Sequence, residues 1–395
     1  MANSLSNILP KIYAAGLTAL RENAVMPKLV RNYSGRIGTA QIKGNTIDIP
    51  KGVALTAAAV TPSNTPPANT DITPTTVQLT LDTWQEVDFH LNDQQLTQIE
   101  AADNFIPMEV SEAARALANK VDTSLLALYK DVYGAGGTVG TTPFASNSSQ
   151  WSTGARKKLI NQLAPLSGPF NIVLDPDAEA NALALSTFQG ANTRGSDVQM
   201  RTGQIGHVLG ADWHVNQNIS SHTAGTLTNG TGMAALVNDA SYTVGESTVN
   251  IDASSLSGTV LAGDIFTVAG DTQQYVVTAT GTASGNALAG MAFTPASKVA
   301  WADNAVVTFD GGGSGATNHV PNLAFHPDAF AFASAPIADS VIPLVGGTMI
   351  SVPDPLSGIN LRLSVTREHY QTTWRFDILY GVKTVRPEYA ARIYG

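Results

Sequence analysis

The sequence predicts an α+β fold in which an all-β segment interrupts a body of mixed helices and strands. Three observations carry this prediction: apolar residues spaced three and four apart over 105–133, alternation of apolar and polar residues over 77–91, and a turn-rich Thr, Val, Gly and Ala texture over 222–318. These patterns are typical of a helix, of half-buried strands and of a small β-barrel or sandwich, in that order. A length of 395 residues allows roughly two to four folding units.

The composition narrows the classes of function. The chain has 22 Lys and Arg against 31 Asp and Glu, a formal net charge of −9, so it is expected to bind DNA only weakly and non-specifically. Only 13% of its residues are charged, about half the usual share, and a surface so poor in charge is expected to be covered by neighbouring subunits. The absence of cysteine excludes disulfides, thiolate nucleophiles and cysteine-ligated zinc.

Residues 1–34 predict an amphipathic arm. Asn7 is expected to cap a helix, Pro10 to lie in its first turn, and Pro27 to end it. Its apolar stripe consists of Leu9, Ile12, Leu17 and Leu20. No basic leader with an unbroken apolar run follows the amino end, and no apolar stretch reaches 18 residues, so neither a secretion signal nor a membrane contact is expected.

The first 40 residues carry a formal charge of +4, because they contain five basic residues and one acidic residue, Glu22. This segment is interpreted either as a solvated arm or as a charged contact with a partner subunit or nucleic acid. The five are Lys11, Arg21, Lys28, Arg31 and Arg36.

Residues 35–90 predict a long two-stranded arm with an irregular tip. Strand-like pieces over 41–50 and 75–91 flank a segment that contains Pro62, Pro66, Pro67 and Pro74, which do not fit a central strand or helix. A lone hairpin is marginally stable in water. We therefore expect the arm, unable to bury its own faces, to lie across a neighbouring copy.

The clearest helix follows the arm. Asn92 is expected to cap a short helix through Glu100, and a longer one is expected over about 105–133, with Pro107 in its first turn and Gly134 able to end it. About 29 residues would extend roughly 43 Å, which suggests a structural backbone for an elongated subunit.

The rest of the body alternates helices and strands. Helices are predicted over 155–166 and 177–188, and strands over 170–176 and around 212–219. Asp175 is expected to cap the second helix rather than to form an acid pair with Asp177. The β-rich segment contains strand patterns at 263–270, 274–280 and 305–309. Between 221 and 320 the chain has seven acidic residues and one basic residue, Lys298. Residues 310–318 predict a flexible linker, after which the pattern of mixed helices and strands resumes and the chain ends in strands.

No catalytic constellation emerges from the sequence. It contains no phosphate-binding loop, no HExxH and no GxSxG, and no catalytic residue, cofactor or metal ligand is expected. The run Arg156, Lys157 and Lys158 is interpreted as a solvated helix face in preference to a nucleic-acid contact. The histidines lack ligand spacing and are interpreted as structural residues: His90, His207, His214, His222, His319, His326 and His369.

The order of these segments resembles that of the major capsid protein of tailed bacteriophages, and more narrowly of podovirus-type coat proteins with an inserted β-domain. The likeness covers essentially the whole chain, and each short motif is moderately specific. The segments that carry it are MPKLVRNYSG, KGNTIDIPK, TGQIGHVLGADWHVNQNI, LAGDIFTVAG, NLAFHPDAFAFA and RFDILYGVKTVRPEYAARI.

The resemblance implies the Hong Kong phage capsid fold. It assigns an amino-terminal arm to 1–34, an extended β-hairpin loop to 35–90, a peripheral domain with a spine helix to 91–150 and 357–395, an axial domain to 151–222 and 317–356, and an inserted β-domain to 223–316.

The resemblance also implies a structural function without catalysis. Copies of the chain would form the hexamers and pentamers of an icosahedral shell around double-stranded DNA, assembled in the bacterial host cytoplasm with scaffolding and portal proteins and finally part of the virion. Whether a decoration protein is also used stays open. The candidate assembly contacts are Arg21, Arg31, Arg36, Lys43, Lys51 and Asp71.

The positions of the loop lysines differ from those in relatives whose shells are crosslinked by an isopeptide bond from a lysine of the extended loop. The loop's lysines, Lys43 and Lys51, lie near its base, and residues 52–84 contain none, so no crosslink at the tip is expected. Two other classes stay open: a β-rich phage tail or surface adhesin whose 223–316 module binds carbohydrate, and an enzyme with an unfamiliar site. Glycan binding would favour the first and substrate turnover the second.

Overall fold

The structure is a computed structural model that divides into two compact units. Unit 1 comprises Met1–Thr18, Asn32–Leu117 and Ala331–Val385, and unit 2 comprises Ala19–Arg31, Ala118–Phe330 and Arg386–Gly395. The residues described are 9–36, 45–53, 55, 57, 59, 60, 62, 72–95, 105–190, 201–230, 235–310, 316–336 and 347–395.

The helices of the described residues are mostly short. They are α1 (Leu9–Asn23), α2 (Met26–Leu29), α3 (Phe105–Leu126), α4 (Arg156–Asn161), α5 (Pro176–Ala184) and α6 (Ser186–Gln189). Of these, none is long and apolar enough to cross a membrane.

The strands fall into a part before the β-rich segment, that segment itself, and a part after it. The first are β1 (Arg31–Asn32), β2 (Thr46–Lys51), β3 (Thr75–Thr80), β4 (Thr83–Asn92), β5 (Ala135–Gly136), β6 (Phe170–Leu174), β7 (Gly206–Val208) and β8 (Ala211–Val215). The second are β9 (Thr228–Asn229), β10 (Ala235–Val237), β11 (Thr248–Asp252), β12 (Leu256–Ser257), β13 (Thr259–Val260), β14 (Ile265–Val268), β15 (Tyr275–Val277), β16 (Gly281–Thr282), β17 (Ala287–Thr294) and β18 (Val306–Phe309). The third are β19 (Pro321–Phe325), β20 (Phe330–Ala335), β21 (Gly347–Pro353), β22 (Asn360–Glu368), β23 (Gln371–Thr384) and β24 (Ala390–Tyr394).

Unit 1 is built on an antiparallel sheet. Its strand order is β1-β20-β23-β22-β21, and β4 also pairs with β23. The period of two buries Trp374, Phe376 and Ile378 on one face of β23. A Cβ atom at Gly16 of α1 would lie 3.2 Å from Val110 of α3 and 3.5 Å from Phe376, so the two helices pack closely on this face where only glycine fits without displacement.

The hairpin of β2 and β3 has a buried base. The two strands pair antiparallel with Ile47 opposite Leu79, and both side chains are buried against Ala331 and Ala333 of β20. The expectation that the arm cannot bury its own faces is therefore wrong for this base. The small alanine side chains of β20 let the ribbon approach, and the predicted second half of the arm, β4, instead joins the six-stranded sheet.

The helices differ from their predicted ends. The first helix ends at Asn23, and Pro27 lies within the short α2 instead of ending the first; Asn7 lies outside the described residues. Helix α3 has 22 residues, about 33 Å by helical rise, because the chain tightens at Ala127–Asp131 into a 3₁₀ turn closed by the Val132 amide on the Tyr129 carbonyl. The expected length of about 29 residues was too long.

Two predicted caps are confirmed. The Asn92 side chain accepts from the Gln95 amide at 2.7 Å while the Gln95 side chain accepts from the Asn92 amide at 3.1 Å, although 96–104 lie outside the described residues. Asp175 accepts from the amides of Asp177 and Ala178 at 3.2 and 3.4 Å at the start of α5.

Unit 2 contains a mixed sheet with strand order β5-β24-β19-β6-β8-β7. All five residues of β6 are buried, as expected for a central strand. The helix predicted over 177–188 is split into α5 and α6, because Leu185 has extended backbone, and the helix predicted over 155–166 begins as a π-turn at Gln150 and ends at Asn161.

The β-rich segment of unit 2 forms a closed six-stranded barrel in the order β10-β11-β17-β15-β14-β18. Its core includes the mutually packed rings of Phe266, Tyr275, Phe293 and Trp301. The three strands predicted from the sequence here correspond to β14, β15 and β18. The mixed α+β class is confirmed, whereas the Hong Kong phage-type details, the domain boundaries and the status of the barrel as an inserted domain stay predictions.

Candidate functional site

Two features outside the ordinary apolar cores are candidates for function. We call the first the neck cluster: the buried polar residues where the chain enters and leaves the barrel, namely Tyr129, His222, Asp264, Asp310, His319 and Arg392. We call the second the hairpin tip: the exposed apolar residues beyond the paired strands β2 and β3, namely Val53, Leu55, Val60 and Ile72.

The neck begins with a two-residue bridge between the entering and leaving segments. The His222 amide donates to the His319 carbonyl at 2.7 Å, and the His319 amide donates back at 3.3 Å. The two imidazole rings lie 5.0 Å apart. This short antiparallel contact joins positions that are almost a hundred residues apart in sequence.

Asp264 connects the neck to the first turn of the barrel. Its carboxylate accepts from His222 Nε2 at 2.9 Å, from the Gly225 amide at 3.1 Å and from the Leu261 amide at 2.8 Å. A Cβ atom at Gly225 would lie 2.4 Å from the Thr259 carbonyl oxygen, so only glycine allows this approach. Three donors thus converge on one carboxylate.

The His222 ring continues from Asp264 to Tyr129. The Asp264 carboxylate is placed to accept from Nε2, and Nδ1 is placed to accept from the Tyr129 hydroxyl at 2.9 Å. Burial raises the pKa of Tyr129, which keeps the hydroxyl a donor. The order Tyr, His, Asp resembles an activated nucleophile, but the three residues are 5%, 2% and 1% exposed, so the arrangement is structural rather than hydrolytic.

Arg392 of β24 is fully buried beside this chain. Its Nη1 donates to the Gly263 carbonyl at 2.7 Å, and the guanidinium lies 5.1 Å from the centre of the Tyr129 ring. Burial lowers the pKa of Arg392 to about 10, opposed by Tyr129 and by the carboxylates Asp310, Asp264 and Asp131. Arg392 therefore stays charged and supplies the positive charge that balances the buried acids.

Asp310 and His319 complete the cluster with opposite pKa shifts. Burial raises the pKa of Asp310 to about 7, against the attraction of Arg392 and Lys158. Burial lowers the pKa of His319 to about 4, although its ring donates to the Thr317 carbonyl at 2.9 Å. Both shifts favour the neutral form because burial disfavours a charge on either side chain; the nearby charge of Arg392 adds to this effect at His319 and opposes it at Asp310.

The shift at Asp310 predicts a pH-dependent stability. Because the folded protein holds this proton more tightly than the unfolded chain, the contribution of Asp310 is greatest below about pH 4 and is lost as the pH rises through about 7. The variant Asp310→Asn should therefore gain stability over the wild type as the pH rises from 4 to 7, by at most about 1.4 kcal/mol per pH unit. Urea unfolding at pH 5 and pH 7.5 measures this difference.

The exposed Asp303→Asn is the matched control on the same barrel, and the pH dependence of Asp310→Asn is measured against it. A difference between Asp310→Asn and the wild type that is the same at both pH values would contradict the assignment.

The hairpin tip is a different kind of site. Val53, Leu55, Val60 and Ile72 are 45%, 65%, 93% and 59% exposed. Four large apolar side chains exposed on one ribbon are typical of a surface that another molecule covers. The buried Ile47 and Leu79 hold the base of the same ribbon in the core of unit 1.

The described residues among the predicted assembly contacts each have their own local surroundings. Arg31 pairs with Asp328 at 3.5 Å, the Lys28 ammonium donates to the carbonyl of Arg21, and Lys51 ends β2 opposite Thr75. The backbone of Arg36 ends the 3₁₀ turn Ser34–Arg36, while Lys43 and Asp71 lie outside the described residues. Their role in assembly stays a prediction.

The basic run on α4 corrects a sequence expectation. Lys157 is exposed, but Arg156 and Lys158 are half-buried, and burial lowers the pKa of Lys158 while Asp310 opposes the shift. A solvated face is thus wrong for two of the three residues. In the part of the chain that the structure describes, no group of three or more His, Asp or Glu residues is placed to hold a metal ion.

Sequence reasoning missed the neck cluster. Its members lie between positions 129 and 392 without a regular spacing in the sequence, so no local pattern predicts that they meet. The one available signal was that His222 and His319 stand at the two ends of the acidic 221–320 segment.

No family model and no curated protein matches this chain. Among solved structures, it is similar to a chain of Mycobacterium phage Che8 with a TM-score of 0.49 and 17% identity, covering 94% of this chain and 90% of that chain.

Two further structures are similar at about the same level. The capsid of cyanophage P-SCSP1u has a TM-score of 0.48 and 11% identity, covering 94% of this chain and 88% of that chain. The mature capsid of bacteriophage PhiM1 has a TM-score of 0.48 and 11% identity, covering 94% of this chain and 87% of that chain. The latter two are phage capsid structures, the class of protein that the sequence of this chain resembles.

Proposed function

We propose that the chain is the major capsid protein of a tailed bacteriophage, which assembles into the hexamers and pentamers of an icosahedral shell around double-stranded DNA. The observation that carries the proposal is the hairpin whose base is buried in unit 1 while its tip exposes four large apolar side chains. A fixed base with an apolar, uncovered end is the geometry of an element that docks on another molecule.

A second copy of the same chain is the partner that fits best. Identical subunits in closed rings let each copy both offer a tip and cover one, so every tip can be buried without any other protein. Many modest contacts of this kind add through high effective concentration around the ring. Assembly then needs no catalytic residue, in agreement with a polar cluster at the neck that is closed to substrates.

The remaining partners follow from the same proposal. Scaffolding and portal proteins would direct closure in the bacterial host cytoplasm, and the finished shell would be part of the virion. The net charge of −9 would keep the hold on packaged DNA weak, so that the genome can slide during filling and ejection.

The proposal is tested by expressing the full chain alone and together with a scaffolding protein, followed by negative-stain microscopy. Closed shells of uniform diameter are the expected result. Soluble monomers under both conditions would contradict the proposal, and specific binding on a glycan array would then favour the adhesin.

Mature particles are expected to run as a single monomer band on denaturing gels. An isopeptide crosslink needs a lysine that reaches a neighbouring subunit. Lys51 lies within the paired base of the hairpin, and residues 52–84 contain no lysine. Boiled particles should therefore show no ladder, and Lys51→Arg particles should be indistinguishable from the wild type. Any boiling-resistant ladder would contradict this prediction, and its loss in Lys51→Arg would identify Lys51 as the crosslinked residue.

A further inference from the structure

The neck holds together the two ends of the segment that forms the barrel. Besides the paired backbone bonds of His222 and His319, the Ala224 amide donates to the Asn318 side chain at 2.8 Å. The barrel has its own apolar core, which does not include these residues. The neck is therefore a small polar joint that can open while the barrel itself stays folded.

His319 is the histidine of this joint with one hydrogen-bonded ring nitrogen and one buried nitrogen that has no partner in the described part of the chain. Its Nδ1 lies 2.9 Å from the Thr317 carbonyl, which can only accept, so Nδ1 carries the proton of the neutral ring. Its Nε2 is buried and has no hydrogen-bond partner among the described residues. A second proton would therefore sit on Nε2 without an acceptor.

The groups that face His319 make a second proton unfavourable. Strand β24 contributes the charged Arg392 and the ring of Tyr394, whose centre lies 4.6 Å away. The entering segment contributes His222, and the first barrel turn contributes Asp264, whose carboxylate is already bonded to three donors. Protonation would thus place a second buried cation beside Arg392 with its nearest counterion engaged.

We propose that the His222–His319 bridge of the neck cluster is an acid-sensitive latch: with His319 neutral it holds the entering and leaving segments together, and protonation of His319 releases them while Asp310 stays buried and the barrel stays folded. Release exposes Nε2 to water, which can accept its proton. The latch is a property of the single chain and does not depend on the proposed function.

The expected size of the effect follows from linkage. Burial lowers the pKa of His319 from 6.5 to about 4 in the closed latch, and release restores the ordinary value. With Asp310 still buried, the opening equilibrium should therefore be about 20-fold larger at pH 5 than at pH 7, whereas release of Asp310, whose pKa burial raises to about 7, would cancel this increase.

Hydrogen exchange on the unassembled full chain measures this opening. Peptides that contain the amides of His222 and His319 should exchange about 20-fold faster at pH 5 than at pH 7 after correction for intrinsic rates. A peptide from β17, inside the barrel, reports on the barrel itself and should keep its protection.

Two variants separate His319 from other titrating groups. In His319→Asn the amide can still donate to the Thr317 carbonyl but cannot titrate, so the pH effect at the neck should disappear. His214→Asn is the matched control, because burial also lowers the pKa of His214 but it lies on β8 outside the neck cluster, and it should retain the full effect.

Three results would overturn the latch: unchanged exchange at the neck between pH 7 and pH 5, an equal increase in His319→Asn, or an equal increase in the β17 peptide, which would mean that the barrel unfolds together with the neck. The first and third are read from the wild type alone. The proposal therefore stays testable even if a variant does not fold.

Discussion

Replacing Arg392 with alanine is expected to lower the free energy of unfolding by about 3–5 kcal/mol, the range for removing one partner from a buried set of charges. Arg392 is fully buried, and its guanidinium contacts the Gly263 carbonyl and the Tyr129 ring. Its loss leaves the buried Asp264 without the nearby positive charge and leaves a cavity between β24 and the neck. Both effects act in the same direction.

Chemical unfolding followed by tryptophan fluorescence measures the loss. The control is Arg386→Ala, because Arg386 is about three-quarters buried but keeps access to water, lies 5.2 Å from the centre of the Tyr389 ring and pairs with Glu388 at 3.6 Å. A pair that water can reach is worth about 1 kcal/mol or less. Losses of the same size in both variants would contradict the central role of Arg392.

A second variant keeps the prediction testable. Arg392→Met fills most of the cavity but leaves the acids unbalanced, and adding Asp310→Asn removes one of them. The double variant should therefore be more stable than Arg392→Met at pH 8, because Asp310, whose pKa burial raises and Arg392 no longer lowers, must there hold a proton or bury a charge, whereas asparagine does neither. No recovery in the double variant would show that charge balance is not what Arg392 provides.

Local elements of this fold could be predicted because their causes are local. Asp175 followed by proline predicts a helix start, and its carboxylate caps α5 as expected. The alternation at Val87 and Phe89 predicts a half-buried strand, and β4 follows it. In both cases the deciding contacts lie within a few residues, so one stretch of sequence contains the information.

The errors arise where distant residues decide. The hairpin base is buried because Ala331 and Ala333, some 280 residues later, are small enough to admit Ile47. The neck cluster combines Tyr129, His222 and Arg392, whose proximity depends on how the entire unit folds. Periodicity reports the face that a segment buries, and it does not identify the partner that covers it.

Replacing Val53, Leu55, Val60 and Ile72 together with serine is expected to abolish shell formation while leaving the chain folded. All four side chains are 45–93% exposed in the single chain, so their loss costs little stability, whereas the buried Ile47, Ile49 and Leu79 keep the hairpin base in place. If each side chain contributes about 1 kcal/mol on burial by a neighbour, each contact loses about 4 kcal/mol, or roughly 1,000-fold in affinity.

Circular dichroism and thermal unfolding test whether the tip variant stays folded, and sedimentation with negative-stain microscopy tests assembly. The control replaces exposed valines of the barrel segment, Val244, Val299 and Val306, with serine, which removes a smaller area of exposed apolar surface away from the tip. Shells should form with the control and fail with the tip variant. Shells of wild-type diameter from the tip variant would show that another surface drives assembly, because a shell held by tip contacts cannot close after a 1,000-fold loss in each of them.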